Sequence, residues 1–338
     1  MNFQAAAIDV GFGQTKWAVR LDEEIITGSF PSLAPISNNN TVTTNLANFV
    51  QRNTIKVTVD GDTFEIGPDV RLAMGSSNSG RALSEDFPKT KNYKALLLGA
   101  LFYAGIDRVD ILTLGLPVHT MGLYANHLKD ILGKEVEVND RRISIGRVVV
   151  IPQPVGSLAM FGSINGSAIN DGHTRLVIDP GYVTTDWVVS SGHNMIDARS
   201  GGRVGGVSHV LKQIAELISD KYQGGKLDRI ERIDEAFVTR KSFNYFKHVI
   251  SQTELAEYLS RSTQIIEETV KEIKTRVGDV EDLQSILITG GGAKFYEPIV
   301  RSTFPMNDIQ VLDNPAFTNA IGFLLVGESM KRRAEKNG

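Results

Sequence analysis

Two stretches of this 338-residue chain share one layout. A short apolar run reaches an aspartate, breaks at a glycine turn dressed with amide or hydroxyl side chains, and resumes as a second apolar run. The first is Ile8-Asp9-Val10-Gly11-Phe12-Gly13-Gln14-Thr15-Lys16, continued by Trp17-Ala18-Val19. The second is Ile178-Asp179-Pro180-Gly181-Tyr182-Val183-Thr184-Thr185-Asp186, continued by Trp187-Val188-Val189. Each reads as strand, tight turn, strand, because apolar runs of this length fit strands and glycine lets the backbone reverse. A chain that begins its plan twice in this way predicts two related α/β lobes.

The rest of the chain supports alternating elements. Apolar residues at helical spacing predict helices over 93–104, 119–132, 155–162, 207–219, 254–277 and 318–335. Strands are predicted over 24–30, 55–66, 110–116, 134–138, 141–151 and 283–288, several stopped by Pro31, Pro117 or Pro152. The asparagine-rich tract 37–45 reads as a surface loop. A length of 338 residues suits two domains, and 41% hydrophobic with 22% charged residues is an ordinary globular mixture. Thirty-six Lys and Arg against 39 Asp and Glu leave a formal charge of −3, which argues against a surface that coats DNA or membrane. The absence of cysteine excludes disulfides, thiolate zinc sites, iron–sulfur clusters and cysteine nucleophiles. No apolar run approaches about 18 residues and the opening shows no signal-peptide layout, so the expected location is cytoplasmic, without a membrane.

Taken alone, the first turn admits two readings. Its glycines let backbone amides approach an anion, Thr15 and Lys16 can meet phosphate oxygens, and Asp9 can hold Mg²⁺ through water. It is equally a glycine hairpin with a solvated lysine. The second turn repeats the strand-terminal aspartate, glycine and hydroxyls, with the same two readings. A third turn, Thr289-Gly290-Gly291-Gly292-Ala293, follows an apolar strand and opens a helix, a placement that brings backbone close to a ligand. It lacks the glycine spacing of a dinucleotide fingerprint, and no GxxxxGK[ST] occurs anywhere.

The three turns in this order, with Gln153-Pro154 between the first two, resemble the actin-like ATPase superfamily along nearly the whole chain. The size, with Ser29-Phe30-Pro31-Ser32, Gly115-Leu116-Pro117-Val118 and Asn314 to Gly322, looks most like the plasmid-segregation actins of the ParM/StbA type. The resemblance implies an α/β, ribonuclease H-like duplicated fold with two lobes around a nucleotide cleft. Residues 1–155 with 318–338 would form one lobe and 156–317 the other.

It also implies roles. Asp9, Gly11, Phe12, Gly13, Gln14, Thr15 and Lys16 match the first phosphate turn, Lys16 reaching phosphate oxygens. Asp179, Gly181, Tyr182, Val183, Thr184 and Asp186 match the second, and Asp9 and Asp179 would share Mg²⁺ through water. Gly290, Gly291, Gly292 and Ala293 match the adenosine turn, and Gly205, in the glycine-rich run 201–206, is placed near the ribose. Gln153 stands where the family keeps a glutamate or glutamine that orients the attacking water, and Asp9, Asp179 and Gln153 form the expected catalytic set. Three departures stand out: Tyr182 and Val183 replace small residues, Pro180 replaces an aliphatic one, and Gln153 replaces the ParM carboxylate.

The function implied is an ATPase, with ATP or GTP and Mg²⁺ as cofactors, that assembles into nucleotide-dependent filaments for plasmid DNA segregation. Its partners would be copies of itself and a DNA-bound adaptor, without direct DNA binding. A small-molecule kinase and a non-polymerising regulatory ATPase share the same phosphate turns and are the alternatives. The lack of cysteine counts against the sugar kinases that carry a zinc motif.

Overall fold

The computed structural model describes residues 1–37, 52–74, 84, 86–164, 172–192 and 194–337. The tract 37–45 lies outside them except for Ser37. The chain divides into two units, Met1–His173 with Leu312–Gly338, and Thr174–Val311.

In the first unit β1 (Asn2–Val10) and β2 (Gln14–Leu21) form the predicted hairpin, with Asp9 paired to Lys16. β3 (Glu24–Pro31) adds to β2, and β4 (Ile55–Val59) with β5 (Asp62–Ile66) makes a separate hairpin reversed at Asp60-Gly61. Then come α1 (Lys91–Tyr103), β6 (Arg108–Leu116), α2 (Met121–Asp130), β7 (Glu135–Val138), β8 (Arg141–Pro152) and α3 (Gln153–Ile164). Helix α1 starts cleanly because the Thr90 side chain accepts from the Tyr93 amide. The six-stranded sheet runs β3-β2-β1-β6-β8-β7, with β6 parallel to both β1 and β8. Strand alternation sends Ala6, Ile8, Val10 and Val19 into a core shared with Leu96, Leu97 and Leu101. Ala5, Ala7 and Ala18 face the other side, the side on which Asp9 lies by the same period of two.

The second unit opens with β9 (Thr174–Pro180) and β10 (Thr184–Ser191), again antiparallel, followed by β11 (Asn194–Met195) and β12 (Gly201–Val204). Next are α4 (Val207–Tyr222), α5 (Glu231–Thr239), β13 (Phe243–Tyr245), β14 (His248–Ile250), α6 (Gln252–Ser260), α7 (Gln264–Val277), β15 (Leu283–Ile288), α8 (Ala293–Thr303) and β16 (Ile309–Val311). The path β10-β9-β15-β16 has one antiparallel and two parallel pairings. The path β2-β1-β6-β8 has the same sequence of pairings, so the duplication read from the two turns extends to the sheet topology.

Several stretches differ from the sequence reading. The helix predicted over 254–277 is two helices, separated at Arg261–Thr263, where Ser262 is buried and short hydroxyl side chains compete with the helical backbone. The glycine-rich run 201–206 begins as a strand, since Gly201–Val204 pairs with β10; the Trp187 ring occupies the space that a Gly201 side chain would need, 2.8 Å from its Cβ position. Helix α5 and the short strands β11, β13, β14 and β16 have no counterpart in that reading.

The chain closes with α9 (Thr318–Asn337), which lies in the first unit and packs across α3 and β1. The two helices meet at glycines: a Cβ on Gly322 would fall 1.7 Å from the Gly156 carbonyl oxygen. Ser157 donates to Asn319 at 2.6 Å, Phe323 is fully buried, and the Arg20 fork grips Glu328 at 2.6 and 3.1 Å. Burying Phe323 contributes about 1.5–3 kcal/mol. This crossing fixes the first residue of α3, Gln153, over the sheet face that carries Asp9.

Candidate functional site

In the first turn the Gly11 amide donates to the Gln14 carbonyl at 3.2 Å, and a Cβ on Gly11 would press on that same oxygen at 3.2 Å. Ser32, which sequence reasoning did not assign a role, holds the turn from outside. Its hydroxyl donates to the Gly11 carbonyl at 2.5 Å and lies 2.9 Å from Thr15 Oγ1, while its amide donates to the Gly13 carbonyl at 3.1 Å. With two turn carbonyls thus engaged, the turn is pinned by a buried serine 17 positions beyond Thr15. Phe12 stacks on Phe87 at 4.9 Å, so any ligand contact from residue 12 would come through its backbone.

Asp9 is buried at the end of β1. Gln153 Nε2 donates to its Oδ1 at 2.7 Å, and Lys16 Nζ stands 3.9 Å from Oδ2. At 3.9 Å the ammonium is attracted electrostatically but is not hydrogen-bonded. Among the described residues it donates no hydrogen bond, although it is largely buried and has three protons to place. An anion with several oxygens satisfies that requirement. Tyr93 is buried beneath the turn, edge-on to Phe87 at 5.3 Å. Burial, and secondarily the charge of Asp9, push its hydroxyl pKa up, so it stays protonated.

The second turn has the geometry of the first. The Gly181 amide donates to the Thr184 carbonyl at 2.8 Å, and a Cβ on Gly181 would press on that oxygen at 3.1 Å. Asp179 pairs with Asp186 across the hairpin, both buried, and Thr184 Oγ1 donates to Asp186 Oδ2 at 3.1 Å. Carboxylates directly opposite on neighbouring strands share a face and repel, which favours a cation beside them. The carbonyls of this turn point back to α4: Val183 accepts from Gly205 and Gly206 at 3.1 and 2.8 Å, Gly181 from Val207 at 3.1 Å, and Tyr182 from Ser208 at 2.8 Å. Tyr296, also missed from sequence, donates its hydroxyl to the Gly205 carbonyl and lies 2.8 Å from Thr185 Oγ1.

The third turn closes on the second. Gly290 has φ +76°, and a Cβ there would fall 2.2 Å from Asp179 Oδ1 and 2.8 Å from the Pro180 carbonyl oxygen. The Gly292 amide donates to that carbonyl at 2.8 Å, and a Gly292 Cβ would meet Val207 at 2.5 Å. Gly291 has open space instead, and Ala293 is buried at the start of α8. The sequence-predicted residues therefore gather in two groups. Asp9, Gly11 to Lys16 and Gln153 belong to the first unit, and Asp179, Gly181 to Thr184, Asp186, Gly205 and Gly290 to Ala293 to the second.

Among the described residues no cluster of three or more His, Asp or Glu could hold a metal ion directly. A cation at these turns would have few protein oxygens and mostly water around it, the coordination that suits Mg²⁺. No helix of the described residues is long and apolar enough to cross a membrane.

Residues 7–156 match the family described as actin like proteins, N terminal domain, and residues 177–301 match the C-terminal part of the archaeal actin homologue MreB-like family. Among solved structures, an archaeal actin homologue in complex with ADP superposes with a TM-score of 0.73 at 20% identity, covering 99% of this chain and 100% of that one. A 15-stranded ParM filament from Clostridium botulinum gives 0.74 at 20% identity over 97% and 100% of the two chains. The AlfA filament from a B. subtilis plasmid gives 0.63 at 16% identity over 95% and 98%. No curated protein sequence matches the chain.

Proposed function

Because this chain belongs to the actin-like ATPase superfamily, we propose that it binds and hydrolyses Mg-ATP and assembles into nucleotide-dependent filaments that segregate plasmid DNA. The observation that carries the reading is the twin turn: Gly11 and Gly181 close the same backbone hydrogen bond beside a buried strand-terminal aspartate. Both glycines leave space against backbone that a side chain would fill. The archaeal relative's complex with ADP supports a nucleotide as ligand, and the ParM and AlfA filaments support self-assembly.

In this reading Lys16 places its protons on phosphate oxygens, and Asp9 and Asp179 hold Mg²⁺ through water. The ion would neutralise phosphate charge, as it does in other nucleotide sites. Gln153, fixed by its hydrogen bond to Asp9, orients the attacking water by hydrogen bonding, a task that needs position more than basicity. Thr184 and the neighbouring backbone face the terminal phosphates, and Gly290 to Ala293 the nucleoside. Filaments need heterologous contacts that do not close on themselves. DNA would be reached through a bound adaptor, consistent with a net charge of −3.

The test is sedimentation and light scattering of purified protein with Mg-ATP, Mg-GTP, Mg-ADP or no nucleotide, with phosphate release followed in the same samples. Reversible scattering that requires the triphosphate is expected, together with loss of turnover in Asp179→Ala. Turnover without assembly at any protein concentration would replace this reading by a kinase or a regulatory ATPase.

A further inference from the structure

Two hairpin tips on this chain are exposed, apolar and oppositely charged. The first is the two-residue turn β13–β14, where Tyr245 pairs with His248 and Phe246-Lys247 form the reversal. Strand alternation turns Tyr245 and Ile250 inward and Asn244 and Val249 outward. Phe246 is 73% exposed, Val249 61% and nearby Val238 68%. Around them stand Arg240, Lys241 and Lys247, all exposed, and residues 238–249 contain no acid. Among the described residues no carboxylate pairs with any of the three. Large apolar side chains left in water together mark a surface that meets a partner, and the cations around them select an acidic one.

The second tip is the turn β2–β3, where Leu21 pairs with Glu24 and Asp22-Glu23 form the reversal. Its three consecutive carboxylates, Asp22, Glu23 and Glu24, are exposed, and Leu21 is 45% exposed. Ile26 adds a further exposed apolar side chain on β3, which is an edge strand of its sheet. Each tip thus offers the other apolar surface ringed by the opposite charge.

We propose that the β13–β14 tip of one copy docks on the β2–β3 turn of the next copy, Phe246 and Val249 against Leu21 and Ile26, with the cations of one tip against the carboxylates of the other. This rests on the assembly reading above and names a contact for it. The two surfaces differ, so the contact is heterologous and repeats from copy to copy, as a filament needs. Charge complementarity sets the register and speeds encounter, while the apolar pairs supply the desolvated centre.

Two variants test it: Lys241→Glu with Lys247→Glu, and Glu23→Lys with Glu24→Lys. Each carries net charge of one sign on both tips, with only Arg240 or Asp22 left of the original sign, so each alone should need about a tenfold higher protein concentration to pellet with Mg-nucleotide. Mixed in equal amounts they should co-assemble near the wild-type concentration, because every contact in an alternating polymer is again complementary. That rescue also shows that both variants are folded, and nucleotide binding measured separately should be unchanged. If wild type assembles and either variant alone assembles equally well, or the mixture fails to recover, the proposed contact is overturned while the assembly reading stands. The hairpin would then face another kind of partner. Wild type that binds nucleotide but never assembles overturns both.

Discussion

Gly290→Ala is the most informative single change in the second unit, because three independent observations fix its cost. The residue has φ +76°, a conformation that an L side chain adopts at about 1–2 kcal/mol. The new methyl would lie 2.2 Å from Asp179 Oδ1 and 2.8 Å from the Pro180 carbonyl oxygen. The carboxylate can rotate, but the carbonyl is held by the Gly292 amide at 2.8 Å, so relief requires backbone movement costing about 1–3 kcal/mol. The lower entropy of the unfolded alanine variant offsets about 0.4–1 kcal/mol. The net loss is about 2–4 kcal/mol, a fall in Tm of about 5–15 °C for a unit of this size. Gly291→Ala is the internal control. Nothing lies within 4 Å of its added methyl, so it should stay within about 0.5 kcal/mol of wild type. Urea and thermal unfolding of the two variants side by side decide the matter: equal stability would refute the reasoning that ties the third turn to Asp179.

Other expectations follow from the same geometry. Gly322→Ala forces a methyl to within 1.7 Å of the Gly156 carbonyl oxygen, so α3 and α9 must separate; a loss of about 3 kcal/mol or more is expected in urea unfolding. Ser32→Ala removes the hydroxyl that holds the Gly11 carbonyl and meets Thr15, which should cost about 1–2 kcal/mol and weaken nucleotide binding in a titration. The pKa of His209 is lowered from 6.5 by burial first and by Lys212 second, so the folded state resists its protonation. Stability from this residue is complete above pH 6.5 and is lost as pH falls below it; thermal melts at about pH 7.5 and about pH 5.5 should differ less in His209→Gln than in wild type. Glu254 is held down to about 2 by Lys221 and Tyr222, so its contribution persists above pH 4.5 and disappears as pH falls towards 2, which acid titration of Glu254→Gln should show.

Much of this was legible in the residues and some was not. Asp9, Gly11, Asp179 and Gly181 could be read because strand periodicity, a terminal acid and a glycine reversal are all local signals. The same locality exposed β1, β2, β9, β10 and the tail helix α9. The roles of Ser32 and Tyr296 were not legible because they depend on residues far apart in sequence, Gly11 for one and Gly205 for the other; Ser32 lies in the segment Ser29-Phe30-Pro31-Ser32 that carries the resemblance, but nothing local tells which atoms it holds. The strand Gly201–Val204 escaped because its glycines serve Trp187 on a neighbouring strand rather than a turn. Helix α5, Glu231–Thr239, is only nine residues long and buries Ile233 and Ala236, so its apolar period is repeated over little more than two turns. The break between α6 and α7 was hidden because the apolar period resumes almost in phase across Arg261–Thr263.

The four hydrogen bonds from Gly205 to Ser208 clasp the second turn to the start of α4. Its 16 residues span about 24 Å at 1.5 Å each. The far end, Tyr222, stacks on His248 at 4.2 Å, and the adjoining Gly224 approaches Tyr245 so closely that a Cβ would lie 2.3 Å from the phenol oxygen. Because Val210, Leu211, Ile214 and Ile218 seat α4 in a close-packed core, the helix cannot shift alone, and the turn at Asp179 and the base of the hairpin that carries Phe246 are tied to one packed body.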